Sequence, residues 1–187
     1  MTEQHRYEVR FDWGTPGAHA VADDADVIVW VDAISTADRT VALADLPDHG
    51  AVIEASMATA AAAARWVLEL QEELRLRLAI AVIAAGELRS GADAQEGTHP
   101  PARFAVEDLL AAGAVVEHLA DLGLDASSPE AAAAAAAYVG LERGIGHLLT
   151  ACVTAGTTPP DPDGTRVRTD LGPDAVVVRR DHPRRRR

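Results

Sequence analysis

The chain has 187 residues, of which 48% are hydrophobic and only 4% aromatic, so we expect one domain with a core of Ala, Val, Leu and Ile. The formal net charge of −12 argues against nonspecific nucleic-acid binding by the body of the protein. No apolar run approaches the roughly 20 residues that span a membrane. The N-terminal residues lack a signal-peptide pattern, and the single Cys152 excludes an internal disulfide. These features predict a cytoplasmic protein that does not bind membranes.

Strands and helices alternate along the predicted order of elements. Five segments have the length and the apolar or alternating pattern of strands: 7–11, 26–35, 51–56, 79–87 and 173–181. A turn with a short helix or loop is expected over 15–25, and longer helices over 57–78, 106–123 and 128–152. The last of these has Ser128 as its cap and Pro129 as its first residue. This alternation predicts an α/β sandwich with helices on the sheet faces.

The domain organisation that we predict is simple. Residues 1–178 form a single α/β domain without internal repeats. Residues 179–187, which read RRDHPRRRR, form an Arg-rich tail that we expect to be disordered. Such a charge run is more often a solvated end than a reader of nucleic acid.

Acidic side chains follow two of the apolar strands. Asp32 comes after VIVWV, and Glu87 comes after IAVIAAG. In open α/β sheets, ligands bind in the crevice beyond the carboxyl ends of the strands. The loop after Glu87 leads to Arg103, Glu107 and Asp108 at a predicted helix start. Carboxylates without Cys or His partners suit Mg²⁺, and an Arg beside a metal would neutralise a phosphoryl group.

Each of these residues also has an ordinary structural explanation. Glu107 and Asp108 suit the positive end of a helix dipole. Asp32 could only end a strand and cap a turn, Glu87 could be a loop acid, and Arg103 could be a surface residue. The functional interpretation therefore depends on their meeting at one end of the sheet.

Five stretches carry a resemblance to a known family: VRFDWGTPGAHA, ADVIVWVDAIST, IAVIAAGELRSG, ARFAVEDLLAAGAVVEHL and SSPEAAAAAAAY. Their order and spacing resemble the 2-phosphosulfolactate phosphatase family, the ComB-like Mg²⁺-dependent phosphatases. The resemblance extends from the N-terminus to about residue 155. Its most specific part is VEDLLAAGAVV after a strand that ends in Gly-Glu.

The resemblance implies a three-layer α/β/α sandwich with a mixed or mostly parallel central sheet. It implies Mg²⁺-dependent hydrolysis of 2-phosphosulfolactate or a related small phosphorylated acid. It also implies which residues line the site. We assign catalysis to Asp32 and Glu87, and binding of the substrate's phosphate or sulfonate to Ser35 and Arg103. We assign Mg²⁺ binding to Asp32, Glu107 and Asp108.

The chain departs from the family in its middle. The segment between the second and third strands is shorter, and the family's Ser-Pro-Asn-Gly-like turn is absent because the sequence contains no Asn. A second hypothesis is therefore a catalytically degenerate homologue that acts as a binding or scaffold protein, whose partner could engage the Arg-rich tail. The expected small-molecule partner is the phosphorylated acid, and a homo-oligomer is compatible with the sequence.

Overall fold

The computed structural model describes residues 3–34, 43–86, 104–157 and 176–181. They contain a five-stranded sheet of order β1-β4-β2-β3-β5. The strands are β1 (Val9–Trp13), β2 (Val27–Val31), β3 (Ala51–Ala55), β4 (Ile80–Ala84) and β5 (Val177–Arg180). The first four are parallel to one another, and β5 is antiparallel to β3. The expected mixed, mostly parallel sheet is confirmed.

Helices pack on both faces of this sheet, as expected for an α/β/α sandwich. They are α1 (Gly14–Val21), α2 (Ala60–Leu74), α3 (Val106–Asp121), α4 (Pro129–Leu141), α5 (Ile145–Ala151) and α6 (Val153–Thr157). One face contacts α1 and is called the α1 face. The other contacts α2, α3 and α4 and is called the α2–α4 face. Over the described ranges, every helix is too short or too polar to cross a bilayer.

The continuous apolar run of β2 is explained by burial on both sides. Val27, Val29 and Val31 pack on the α2–α4 face, while Ile28 and Trp30 pack on the α1 face. All five residues are buried. Successive strand side chains point to opposite faces, so a central strand covered on both faces needs apolar residues at every position.

Small side chains allow α3 and α4 to pack closely. A Cβ added at Gly113 of α3 would lie 2.1 Å from the carbonyl oxygen of Ala134 in α4, so only glycine fits this contact. At the start of α4, the Ser128 hydroxyl accepts a hydrogen bond from the backbone N–H of Ala131 at 3.1 Å. The predicted cap of this helix, followed by Pro129, is confirmed.

The structure moves some predicted boundaries. The first strand begins at Val9 and continues to Trp13, and α1 follows it directly. The helix predicted over 128–152 is interrupted by a 3₁₀ turn at Glu142–Gly144 that separates α4 from α5. Glycines near this break disfavour a continuous helix because they retain more conformational freedom when unfolded.

The predicted start of the Arg-rich tail at residue 179 is corrected by the sheet. Arg179 and Arg180 belong to β5, which pairs with β3. The guanidinium of Arg179 donates to Glu54 at 2.6 Å, and that of Arg180 donates to the carbonyl oxygen of Gly50 at 2.8 Å. Pairing and guanidinium contacts therefore place these two arginines in the domain, whereas residues 182–187 lie outside the described ranges.

Candidate functional site

The four parallel strands end at one edge of the sheet, which is called the carboxyl edge. The chain leaves this edge in two directions. After β1, which is adjacent to β4, the chain leads directly to α1 on the α1 face. After β3 and β4 it leads to α2 and α3 on the opposite face. Adjacent strands whose chains depart to opposite faces leave a crevice at their carboxyl ends, which is where ligands bind in open α/β sheets.

Asp108 joins three segments at this crevice. Its carboxylate accepts a hydrogen bond from the backbone N–H of Ala33, after β2, at 2.8 Å. It accepts a second from the backbone N–H of Gly86, after β4, at 2.9 Å. The side chain belongs to the first turn of α3 and is buried. One carboxylate thus fixes the ends of two neighbouring strands to the start of a helix.

The surroundings of Asp108 disfavour its negative charge. Burial, followed by the charge of Asp32, raises the pKa of Asp108 to about 8. The hydrogen bonds from Ala33 and Gly86 act in the opposite direction, because they stabilise the ionised form. Asp32 itself is half-buried. The structure therefore brings Asp32 and Asp108 close enough for their charges to repel.

Glu107 is buried on a different side of α3. Its carboxylate neighbours the thiol of Cys152, which lies between α5 and α6. Burial raises the pKa of Cys152, and the contact with Glu107 raises it further. Cys152 is buried, and its contact with Glu107 had no signal in the sequence. Glu107 and Asp108, although adjacent, therefore face different parts of the molecule.

Three of the predicted site residues cannot be placed. Ser35, Glu87 and Arg103 lie outside the described residues. Within the described ranges, no three His, Cys, Asp or Glu side chains form a group that could hold a metal ion. The observed convergence thus involves Asp32 and Asp108, and Mg²⁺ binding stays a prediction.

Two hydroxyl residues at the end of β3 were not predicted as part of this edge. The backbone N–H of Ser56 donates to the hydroxyl of Thr59 at 2.9 Å, and both side chains are buried. Asp32 is a neighbour along the sheet, because its N–H donates to the carbonyl oxygen of Ala55 at 3.1 Å. The available signal was the Ser-x-x-Thr spacing before an apolar helix, a variant of the capping box.

A further carboxylate, Asp12, lies near the end of β1. Burial raises its pKa, and its carboxylate accepts the N–H of Trp13 at 2.7 Å. A Cβ added at Gly17 would lie 2.8 Å from the Asp12 side chain, so glycine permits the close approach of α1. The alternation of β1 identified a strand but did not identify this half-buried acid.

Aromatic rings also reach the carboxyl edge. The Trp13 ring lies 5.6 Å from that of Phe11 and 5.4 Å from that of Phe104, between ring centroids. Phe11 is buried, whereas Phe104, two residues before α3, is 59% exposed. The contact of Trp13 with the buried ring of Phe11 is an ordinary packing contact. Its contact with an exposed ring was not predicted.

Comparison with known proteins gives no further assignment. No family model matches the chain, and no curated protein is significantly similar to it. The likeness to ComB-like phosphatases therefore stands on the five stretches of sequence alone. The structural evidence on function lies at the carboxyl edge, where Asp32, Asp108 and the start of α3 meet.

Proposed function

We propose that the protein is a Mg²⁺-dependent phosphatase that acts on a small phosphorylated acid, for which the resemblance suggests 2-phosphosulfolactate. The observation that carries the proposal is the position of Asp108. This side chain ties the segments after β2 and β4 to α3 while its carboxylate lies beside the charge of Asp32. Perturbed carboxylates in the crevice of an α/β sheet are typical of functional sites.

The described donors suit the chemistry of Mg²⁺. Asp32 and Asp108 supply only oxygen atoms, which Mg²⁺ prefers, and the one thiol nearby is directed to Glu107. Two carboxylates that repel each other in a partly buried site become more stable when a divalent cation lies between them. Asp32 and Asp108 would hold the ion, whereas Glu107, which was also predicted to bind it, is directed to Cys152 although it belongs to the same first turn of α3.

The same edge has features that favour a phosphate. The helices α1 and α3 begin there, and the N-terminus of a helix carries a partial positive charge that attracts anions. Gly86 has a φ of +70°, which glycine adopts without strain, and it has no side chain to obstruct an approaching ligand. Arg103 and Ser35 are assigned to the phosphate or sulfonate because both can donate hydrogen bonds to anionic oxygens.

In the proposed reaction, a bound Mg²⁺ ion would neutralise charge on the phosphoryl oxygens. Asp108 orients the backbone of Ala33 and Gly86, and so fixes the position of Asp32. Glu87 accepts a proton from the attacking water at its carboxylate. Water then replaces the hydroxy acid on phosphorus, and the hydroxy acid leaves with a proton from solvent.

The decisive variant is Asp32→Asn. Because it removes the charge but keeps the shape, we expect kcat for phosphate release to fall at least about 100-fold, with the melting temperature nearly unchanged. The matched control is Asp48→Asn, because Asp48 is fully exposed and distant from the carboxyl edge. Activity is measured with 2-phosphosulfolactate and an aryl phosphate, with Mg²⁺ and with EDTA.

Two outcomes would contradict the proposal. Full activity of Asp32→Asn would remove Asp32 from the reaction. A folded wild-type protein that releases no phosphate from either substrate would favour the other hypothesis, a degenerate homologue that acts as a binding or scaffold protein.

A further inference from the structure

The aromatic residues of this chain are few and unevenly distributed. Both phenylalanines and one of the three tryptophans form a single row of rings, Phe11–Trp13–Phe104. The row begins in the core, where Phe11 is 5% exposed, and ends at the surface, where Phe104 is 59% exposed. The exposed ring of Phe104 therefore presents an apolar surface that a ligand can contact.

The row ends beside the proposed phosphatase site. Trp13 of β1 and Val31 of β2 are both paired with Ala84 of β4, so they flank the end of the same strand. Two strand spacings give about 10 Å between the backbones at these two positions. Phe104 belongs to the segment that carries Asp108 four residues later. The rings thus lie on one side of the end of β4, and Asp32 lies on the other.

We infer that Trp13 and Phe104 form an aromatic wall that selects a phosphate monoester with a planar aromatic ring. This inference rests on the proposed function, because the carboxylate side of the crevice would hold the metal and the phosphate. Because the rings and Asp32 lie on opposite sides of the end of β4, a substrate would contact both with its ring at one end and its phosphate at the other. A planar ring stacks on Phe104 and gains contact area there. Within the proposed class of phosphorylated acids, one that carries such a ring is therefore preferred to 2-phosphosulfolactate, which has none.

The test compares two ligands that differ in the ring. Phenyl phosphate and glycerol 2-phosphate are titrated by calorimetry into the full chain with Mg²⁺. We expect phenyl phosphate to bind more tightly, and Phe104→Leu to weaken its binding about tenfold. Binding of glycerol 2-phosphate should change less than about twofold. Phe104→Tyr should retain the preference because it keeps the ring.

The control variant is Tyr7→Leu, which removes an aromatic ring outside this row, next to Arg6. It should leave both affinities unchanged. Because Phe104 is largely exposed, Phe104→Leu should fold normally, and circular dichroism checks this. Three results would contradict the inference. They are equally weakened binding of both ligands in Phe104→Leu, an unchanged preference for phenyl phosphate in that variant, and no binding of phenyl phosphate by the wild-type protein.

Turnover separates this inference from the proposed function. If phenyl phosphate binds with a preference that Phe104→Leu abolishes, but is never hydrolysed, the aromatic wall stands and the phosphatase proposal fails. If both esters are hydrolysed with the same kcat/KM, and Phe104→Leu changes neither, the phosphatase proposal stands and the aromatic wall fails.

Discussion

The charged side chains at the two ends of the parallel strands have different neighbours. At the amino ends, acidic side chains meet guanidinium or N–H groups. Arg10 is only 2% exposed, and its guanidinium pairs with Asp24 and donates to the carbonyl oxygen of Val21 at 2.9 Å. Glu8 accepts two hydrogen bonds from Arg77, the shorter at 2.7 Å. At this edge opposite charges are neighbours.

At the carboxyl edge, like charges are neighbours. The charges that raise the pKa of Asp108 are those of Asp32 and Glu107. Such an arrangement lowers stability, because burial and repulsion both disfavour ionised carboxylates. Proteins retain unfavourable electrostatics of this kind where a ligand or a reaction uses them. We therefore expect the amino ends of the strands to contribute more to stability, and the carboxyl ends are where we propose that a ligand binds.

The largest effect on stability is expected from Arg10→Leu. The guanidinium donates to the carbonyl oxygens of Tyr7 and Val21, at 3.1 and 2.9 Å, so its removal leaves acceptors without donors. We expect the free energy of unfolding to fall by about 3 kcal/mol. Urea denaturation measures this loss, and a ligand at the carboxyl edge should stabilise both proteins alike and leave the difference between them unchanged.

The control for this change is Arg143→Leu, because Arg143 is exposed in the turn between α4 and α5. We expect a change within about 0.5 kcal/mol. A change this small in Arg10→Leu would show that the paired charges at the amino ends do not stabilise the fold. The expected difference in stability between the two ends of the strands would then be wrong.

The repulsion between carboxylates at the carboxyl edge is tested by varying the pH. The pKa of Asp108 is raised to about 8 in the folded protein, from a usual value of 3.8. Between these values the folded state holds a proton that the unfolded state has released. The stabilising contribution is complete below pH 3.8 and is lost as the pH rises through about 8. The free energy of unfolding should therefore fall over this range.

Asp108→Asn cannot release this proton and provides the reference. From pH 6 to pH 8.5, the wild-type protein should lose at least about 1 kcal/mol of stability relative to the variant. Mg²⁺ should reduce the difference at pH 8.5, since a bound cation compensates the carboxylates. Parallel curves for the two proteins would show that Asp108 titrates as an ordinary acid.

Much of the fold could be predicted because the signals were local. The unbroken apolar run of β2 indicated burial on both faces, and Ser128-Pro129 indicated the start of α4. The strand order and the position of Arg180 depend on contacts between distant segments. In particular, the sequence predicted both a strand over 173–181 and a tail from residue 179, and only the pairing of β5 with β3 shows that Arg179 and Arg180 belong to the sheet.

The site could be predicted only in part for the same reason. Asp32 and Asp108 were recognisable because each follows a pattern, a strand end or a helix start, whose position in α/β sheets is known. Their mutual distance, and the hydrogen bonds of Asp108 to Ala33 and Gly86, depend on the tertiary fold. The row that ends at Phe104 had no periodic signal, because it joins residues from β1 with one that precedes α3.

A smaller effect is expected from Arg180→Leu. Arg180 belongs to β5 and lies near the amino end of β3. Its guanidinium donates to the carbonyl oxygens of Gly50 and His49, at 2.8 and 2.6 Å, just before β3. The side chain is only half-buried, so water can replace part of these contacts, and we expect a loss of about 1 kcal/mol in urea denaturation. A loss no greater than that of Arg143→Leu would mean that Arg180 behaves as part of a solvated tail. The contribution of the amino ends of the strands to stability would then come from buried guanidinium groups such as that of Arg10, and not from arginines in general.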